Sequence, residues 1–175
     1  MDEKQLLKDC IKGDFKAQKR LYDAFAPKMF GVCLRYANDH DTAQDYLQEA
    51  FIRVFAHLDR FRFEGSLEGW VRKVVVNTAL EKIRKVDVFK KSVEIDKINP
   101  GDYETTELQD QINATELLQL IQSLPTGFRT VFNLYAIEGY THQEIGKLLD
   151  ISEGTSKSQY ARARQWLRQR LEKRA

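Results

Sequence analysis

The sequence predicts an all-α protein: two small helical domains joined by a linker, with a helix-turn-helix in the C-terminal domain. Apolar residues recur at three- and four-residue steps, and no run alternates apolar with polar residues over the length of a strand. Gly (9) and Pro (3) are scarce among the 175 residues. The apolar pattern fails between residues 92 and 106, which contain Asn-Pro-Gly, so this stretch is expected to be a linker.

Helix boundaries follow from caps and breakers. Asp14, Asp41 and Ser66 are expected N-caps, Pro27 should kink or split the second helix, and Pro125 suits a first helical turn. The predicted helices span about 2–12, 15–38, 42–58, 67–91, 107–123, 126–137, 142–149 and 153–173, the sixth of them stopped by Gly139. The predicted domains are 1–91 and 107–175, with the acidic linker 92–106 between them.

Composition and charge narrow the class of protein. With 42% apolar and 31% charged residues the chain reads as globular, and no apolar run approaches the roughly 18 residues that span a bilayer. The N-terminus lacks the features of a signal peptide, so we expect a cytoplasmic protein. Cys10 and Cys33 have no partner at metal-ligand or redox spacing and are expected to be buried free thiols. The net charge of +2 conceals a strongly basic C-terminal tail.

The helix-turn-helix prediction rests on two adjacent helix starts. Thr141 followed by Glu144 forms a capping box, and Ser152 is a good N-cap for a second helix. Only Leu149 to Ile151 remain to turn the chain, which is the spacing of the motif. The second helix is rich in Lys and Arg, and duplex DNA is therefore the expected partner, although a charged helix can also be merely a solvated face.

The second helix of the motif should present different residues to the core and to DNA. Tyr160, Ala163, Leu167 and Leu171 recur at helical steps and are expected to face the core. The polar residues Lys157, Ser158 and Arg162, with Ala161 and Gln165, fall on other faces, near the end that enters a major groove.

Two further surfaces are expected in the N-terminal domain. The helix around residues 42–58 has an apolar face and an outer face with Asp41, Asp45, Gln48 and Glu49, which either docks a partner helix or is solvated. Residues 60–69 combine two Arg with two Phe, a mixture that suits an unstacked base, unless Phe61 and Phe63 only plug the core. The next helix adds a cationic face that includes Arg72, Lys73 and Asn77.

Three stretches together resemble a known family, the extracytoplasmic-function group of bacterial sigma factors. They are DYLQEAFIRVF (45–55), GWVRKVVVNTALEKIRK (69–85) and SLPTGFRTVFNLYAIEGYTHQEIGKLLDISEGTSKSQYARAR (123–164), in the family's order across an acidic linker. The resemblance implies an RNA polymerase sigma factor whose partners are promoter DNA and core polymerase, through the β′ clamp helices and the β flap. Family members are commonly held by an anti-sigma factor, often membrane-anchored.

The resemblance also implies roles for individual residues. Those facing β′ would be Asp45, Gln48 and Glu49, and those reading the minus-thirty-five element would be Lys157, Ser158 and Arg162. Those holding the melted minus-ten strand would be Phe63, Arg72, Lys73 and Asn77. No catalytic residue, metal site, cofactor or small-molecule substrate is expected, and His40, His57 and His142 are interpreted as surface or capping residues.

The chain departs from the family pattern at three positions. Ser156 replaces an aliphatic residue on the buried face, Glu81 stands where Asp is common, and Gly146 replaces Ala inside a helix, at an expected cost of about 0.5–1 kcal/mol. An alternative interpretation is a helix-turn-helix regulator with a helical sensor domain, which leaves residues 45–55 and 60–85 unexplained. A nucleic-acid-modifying enzyme is a more distant alternative, because the acidic residues form no evident metal cage.

Overall fold

Packing divides the chain into two units, Met1–Lys82 and Ile83–Ala175. The computed structural model describes residues 2–85 and 112–173, so the linker predicted at 92–106 lies outside the described residues. Within the described residues every regular element is helical, which confirms the predicted all-α fold class. None of the helices in this part of the chain is long and apolar enough to cross a membrane.

The helices follow the predicted order with shifted ends. In the first unit α1 is Glu3–Ile11, α2 is Phe15–Tyr36, α3 is His40–His57, a 3₁₀ turn is Leu58–Arg60 and α4 is Leu67–Arg84. In the second unit α5 is Ala114–Ser123, α6 is Thr126–Phe132, a π-helical turn is Asn133–Ile137, α7 is His142–Leu149 and α8 is Glu153–Glu172. The predicted extension of α4 to residue 91 and the predicted start of α5 at 107 lie outside the described residues, but Ile112 and Asn113, which were predicted to be helical, are not, and Asn113 is the N-cap of α5.

The core of the first unit lies between α2, α3 and α4. Leu21, Met29 and Val54 are buried there, together with Val71 and Val75 of α4. Helix α1 packs on α2 and on the 3₁₀ turn. These helices are amphipathic, and burial of their apolar stripes fixes which side chains remain outside.

One boundary prediction in this unit was wrong, and the split that Pro27 was expected to cause as an alternative to a kink is absent. The N-cap of α3 is Asp39, whose Oδ1 accepts from the amide of Thr42 at 2.7 Å, so the helix begins two residues earlier than an Asp41 cap would allow. Helix α2 runs through Pro27 without splitting. The missing N–H of a proline removes only one hydrogen bond of the ladder, and the neighbouring turns hold this helix together.

Both cysteines are buried, as predicted. Cys10 lies on the inner side of α1 and Cys33 on the inner side of α2. Burial raises the pKa of the Cys33 thiol to about 12. Burial, followed by the charges of Asp9 and Asp14, also raises the pKa of the Cys10 thiol. Both groups are therefore protonated thiols at neutral pH.

In the second unit, α8 packs against α5, α6 and α7. Leu120, Leu124, Ala163 and Leu167 form one apolar cluster, with Phe132 and Trp166 packed against it. The predicted core stripe of α8 was wrong in part, because its fully buried residues begin with Ser156 and Gln159. Tyr160 and Leu171 are only half-buried.

The capped turn of the helix-turn-helix has the predicted form. Thr141 and Glu144 make the capping box, and the Oγ of Ser152 accepts from the amide of Thr155 at 3.0 Å. Between the two helices Asp150 adopts a left-handed conformation, with φ 55°. The backbone N–H of Ile151 donates to the carbonyl of Gly146 at 3.0 Å, which closes the end of α7.

This turn explains the glycine at position 146. A Cβ on Gly146 would lie 2.7 Å from the carbonyl oxygen of Ile151, closer than a carbon and an oxygen can approach. The chain here cannot accept the alanine of the family pattern without moving the turn. Gly146 was expected to make the protein less stable than Ala would at this position. The close approach of the Ile151 carbonyl reverses that expectation, because here Ala is the residue that does not fit.

His142 is half-buried and is not the cap of α7, which is Thr141. Its ring stacks on Tyr135 with centroids 4.2 Å apart, lies near Tyr160, and its Nδ1 is 2.8 Å from the Oγ of the buried Ser156. Desolvation, followed by the charge of Lys157, lowers the pKa of His142. The serine that departs from the family pattern thus has a hydrogen-bonding partner inside the motif.

Gly146→Ala should destabilise the second unit by about 1–3 kcal/mol, because the added Cβ overpacks the turn. The free energy of unfolding, measured by urea titration followed by circular dichroism, tests this expectation. Gly154→Ala is the matched control, since a Cβ there meets nothing closer than 3.9 Å and alanine favours a helix. Equal or higher stability of the Gly146→Ala protein would contradict the close approach.

Acidification should weaken the fold through His142. Because its pKa in the folded protein lies below the ordinary value of 6.5, the unfolded chain binds the proton more readily. This stabilisation is fully present above pH 6.5 and is lost as the pH falls toward the lowered pKa. In His142→Asn, which retains an acceptor for Ser156, the loss should be smaller between pH 7.5 and pH 5.5 than in the wild type, by urea titration. His57→Asn is the control, and identical pH slopes in all three proteins would refute the assignment.

Candidate nucleic-acid and partner interfaces

The outer face of α3 is exposed where the sequence predicts a docking surface. Asp45 and Gln48 are exposed, and Ile52, one turn further on, is 65% exposed. Sequence reasoning missed Ile52, although it lies four residues after Gln48 and so shares its face. A large exposed apolar side chain beside polar ones is typical of a protein-protein contact.

Glu49 differs from its neighbours because it is already engaged within the protein. Its Oε1 accepts from the Nε of Arg53 at 3.2 Å. The same guanidinium reaches across to α4, where its two terminal nitrogens lie 2.5 and 3.2 Å from the carboxylate oxygens of Glu81. Arg53 therefore joins the outer face of α3 to the helix that follows the loop.

A small groove lies beside the same face of α3. It has a volume of about 220 Å³ and lies between α2 and α3. Its walls are Tyr22, Phe30, Gln44, Leu47 and Gln48. Tyr22 packs edge-on against Phe51 of the core, which holds that wall in place.

The two phenylalanines of the loop between the 3₁₀ turn and α4 differ in burial. Phe61 is buried at 9% exposure, whereas Phe63 is 48% exposed. The Phe61 ring contacts Phe63 at 4.9 Å and Trp70 at 6.0 Å between centroids. The plugging role considered as an alternative thus fits Phe61 and does not fit Phe63.

Phe63 also has an unusual backbone. Its φ of 58° is in the left-handed region, which a bulky side chain adopts at a cost of order 1–3 kcal/mol. Such strain persists only where surrounding contacts determine it. The contact with Phe61 holds an aromatic ring out of the core at this point.

A cleft of about 440 Å³ opens beside this loop. Aromatic rings, cations and turn residues line it: Arg60, Phe61, Arg62, Glu64, Gly65, Ser66, Gly69, Trp70 and Lys73. The amide of Gly69 donates to the Oγ of Ser66 at 3.0 Å, which fixes the start of α4 as predicted. Rings that offer a π-face next to cations that pair with phosphate suit a single-stranded nucleotide.

Helix α4 brings two of its three predicted polar residues to one side. Lys73 lines the cleft, and Asn77 is exposed one turn further along the same face. Arg72 is half-buried and points about a quarter turn away from Lys73. Arg60 and Arg62 are lining cations that the predicted set of site residues omitted.

The three residues predicted to read duplex DNA lie in the first half of α8. Lys157 is exposed and pairs with Glu153 at 3.2 Å. Ser158 is half-buried, and its hydroxyl donates to the carbonyl of Thr155 at 3.0 Å. Arg162 is half-buried one turn beyond Ser158, so the two share a face.

One contact to the loop had no signal in the sequence. The Nζ of Lys4, in α1, lies above the ring of Phe63 at 5.6 Å from its centroid. No spacing rule relates two residues so far apart in the chain, and only the packing of α1 on the 3₁₀ turn brings them together.

Two segments of the chain match known families, in the order of the predicted domains. Residues 21–88 match the family described as Sigma-70 region 2. Residues 114–167 match the family described as Sigma-70, region 4. The first match covers α3, the loop and α4, and the second covers the helix-turn-helix. A helix-turn-helix regulator with a sensor domain is not favoured, since it would leave the first match unexplained.

Similar proteins align over nearly the whole chain. The RNA polymerase sigma-H factor of Pseudomonas aeruginosa is 30% identical over 175 residues, covering 93% of this chain and 90% of that protein. The ECF RNA polymerase sigma factor SigW of Bacillus subtilis is 30% identical over 182 residues, covering 96% of each. The ECF RNA polymerase sigma-E factor of Escherichia coli is 28% identical over 176 residues, covering 94% and 92%.

Solved structures share the fold. The sigma factor RpoE of Bartonella quintana, in complex with the anti-sigma factor NepR, superposes with a TM-score of 0.54 at 19% identity, covering 88% of this chain and 96% of that one. CnrH, in complex with the cytosolic domain of CnrY, superposes with a TM-score of 0.51 at 18% identity, covering 99% of each. Both family regions and the near full-length relatives point the same way: the chain belongs to the extracytoplasmic-function group of the sigma-70 family and is an RNA polymerase sigma factor.

Proposed function

We propose that three surfaces divide the work of promoter recognition. The outer face of α3, with Asp45, Gln48 and Glu49, binds the β′ clamp helices of core polymerase. Its support is the exposure of Asp45 and Gln48 around the exposed Ile52, a polar rim around an apolar centre. Arg53 holds the Glu49 carboxylate in a fixed orientation, so this contact is prepared before binding.

The cleft beside the 60–69 loop takes up the opened minus-ten strand. Phe63 and the rings behind it stack on an extruded base, while Lys73 and Arg72 pair with phosphates and Asn77 contacts the strand beyond. The observation that carries this proposal is the coincidence of an exposed ring at 48% with a cation-lined cleft on the same loop. Stacking and pocket contacts to an unpaired base supply about 1–3 kcal/mol each, which offsets part of the cost of opening the duplex.

The first half of α8 reads the minus-thirty-five element as duplex. Ser158 and Arg162 share the face that enters the major groove, and Lys157 approaches phosphate from the start of the helix, where the macrodipole also favours an anion. The β flap of the polymerase places this unit on upstream DNA. Recognition here is direct readout of base edges, separate from the single-strand contacts of the first unit.

We also propose the remaining assignments, which membership of the group supports. Residues 1–91 form the polymerase-binding and minus-ten domain, 92–106 the acidic linker, and 107–175 the minus-thirty-five domain. The protein acts in the cytoplasm, and its effect is to direct core polymerase rather than to catalyse a reaction of its own. An anti-sigma factor, of the kind that is often membrane-anchored in this group, holds it inactive; in support, the structural neighbour from Bartonella quintana is a sigma factor in complex with an anti-sigma factor.

Replacing Asp45, Gln48 and Glu49 together by Ala should weaken binding to core polymerase at least about tenfold, which is about 1.4 kcal/mol. The expected reason is loss of the contacts around Ile52. Fluorescence anisotropy of labelled protein titrated with core polymerase, without DNA, measures the effect. Asp23→Ala on α2 is the matched control, because this carboxylate is also exposed and also pairs with a cation on its own helix. Unchanged core binding with normal helicity would show that β′ binds elsewhere.

Arg162→Ala should reduce discrimination at one upstream base pair by about 1–3 kcal/mol. Arg168→Ala, further along α8, should instead weaken all promoter sequences alike and lower the salt dependence. Binding of the polymerase complex to a set of minus-thirty-five variants at several salt concentrations separates the two effects. If Arg168→Ala changes selectivity and Arg162→Ala does not, the reading face of α8 is in a different register.

A further inference from the structure

We propose that Lys4, in the N-terminal helix, is a positioning residue for Phe63 and thereby takes part in selecting a base of the minus-ten element. This inference rests on the proposed role of the cleft beside the loop. It adds α1 to the minus-ten recognition surface, although α1 lies before both family segments, 21–88 and 114–167.

The contact itself is a cation over an aromatic face. The Lys4 Nζ is 5.6 Å from the centroid of the Phe63 ring, within the range of a cation-π interaction. The ring has one other aromatic neighbour recorded among the described residues, Phe61, at 4.9 Å. Since Phe63 is 48% exposed, few contacts determine where its ring lies. Loss of one of them should change the distribution of ring orientations.

Helix α1 is anchored well enough to hold the ammonium group over the ring. At its start, the Oδ1 of Asp2 accepts from the amide of Lys4 itself at 3.0 Å. At its end, the Nε2 of Gln18 donates to the carbonyl of Cys10 at 3.1 Å. Between them Leu7 and Cys10 are buried, and the helix packs on the 3₁₀ turn that leads into the loop.

The position of the cation also calls for a compensating partner. Lys4 lies in the first turn of α1, where the helix macrodipole disfavours positive charge. The negative face of the Phe63 ring offers compensation at that point. In this arrangement the ammonium group of Lys4 acts on the ring that stacks on the base, and it does not act as a phosphate contact.

The experiment compares variants in complex with core polymerase, using a pool of single-stranded DNA with a randomised minus-ten region. Sequencing of bound DNA measures the preference at each position. Lys4→Gln should reduce the preference at one position about two- to fivefold, which corresponds to an exposed cation-π contact. Lys4→Arg should retain the preference, because a guanidinium also binds a ring face. Lys8→Gln, which removes the same charge one helical turn further along, is the matched control and should leave the preference unchanged.

Two results of the binding measurement would overturn the proposal. In one, Lys4→Gln lowers binding of every sequence alike and reduces the salt dependence, which is the signature of a phosphate contact. In the other, Lys4→Gln leaves both preference and affinity unchanged. Helicity and the urea midpoint of each variant show whether α1 remains folded. If Lys4→Gln lowers both the stability and the preference, and Lys4→Arg does not restore the preference, that result also counts against the proposal.

Phe63→Ala separates failure of this inference from failure of the proposed function. If Phe63→Ala abolishes the preference while Lys4→Gln does not affect it, the cleft reads the base without help from α1. If neither variant changes the preference, the loop does not read a base, and both proposals fail. Loss of preference in both, with rescue by Lys4→Arg, supports both.

Discussion

The first unit depends on one guanidinium, that of Arg53. It binds Glu81 of α4 through two nitrogens and Glu49 of α3 through a third. All three side chains are partly exposed, so solvent screens these ion pairs and they add little stability. The planar guanidinium of Arg53 instead fixes the geometry of the contact. Glu81 stands where the family pattern has Asp, and its extra methylene gives its carboxylate additional reach across the gap between the helices.

The contacts of Arg53 couple the positions of α3 and α4. Helix α3 presents the surface assigned to the polymerase, and α4 presents the cations assigned to the opened strand. Because Arg53 contacts both helices, a shift of α3 on binding its partner also changes the contact with Glu81 on α4, so the positions of the two surfaces are coupled. Coupling of this kind is what a protein needs if binding to a large enzyme is to place DNA at a defined point.

Local signals in the sequence predicted much of the fold and failed where tertiary packing decides. Thr141, Glu144 and Ser152 formed the caps expected of them, because a cap is a contact over three residues. Gly146 was misjudged, since the carbonyl that excludes a side chain belongs to the turn beyond the helix. The stripe of α8 was drawn from apolar residues alone, so the buried Gln159 was not expected in the core, whereas Ser156 was placed on the buried face only through the family pattern.

The same division applies to the interfaces. The exposure of Asp45, Gln48 and Lys157 agrees with their helical spacing. The separate fates of Phe61 and Phe63 were open in the sequence, because two aromatic residues in one loop compete for the same core position and only the backbone conformation at Phe63 decides between them. Lys4 had no local signal at all, since its contact is made by the docking of one helix against another.

The burial of the two cysteines governs how readily they react. The attacking species in thiol oxidation is the thiolate, and burial, which raises the pKa of the Cys33 thiol to about 12, keeps this side chain protonated at neutral pH. Cys10 is buried as well, and these are the two cysteines of the chain. Peroxide and disulfides therefore react slowly with either thiol while the protein is folded, and unfolding is the step that would make these cysteines reactive.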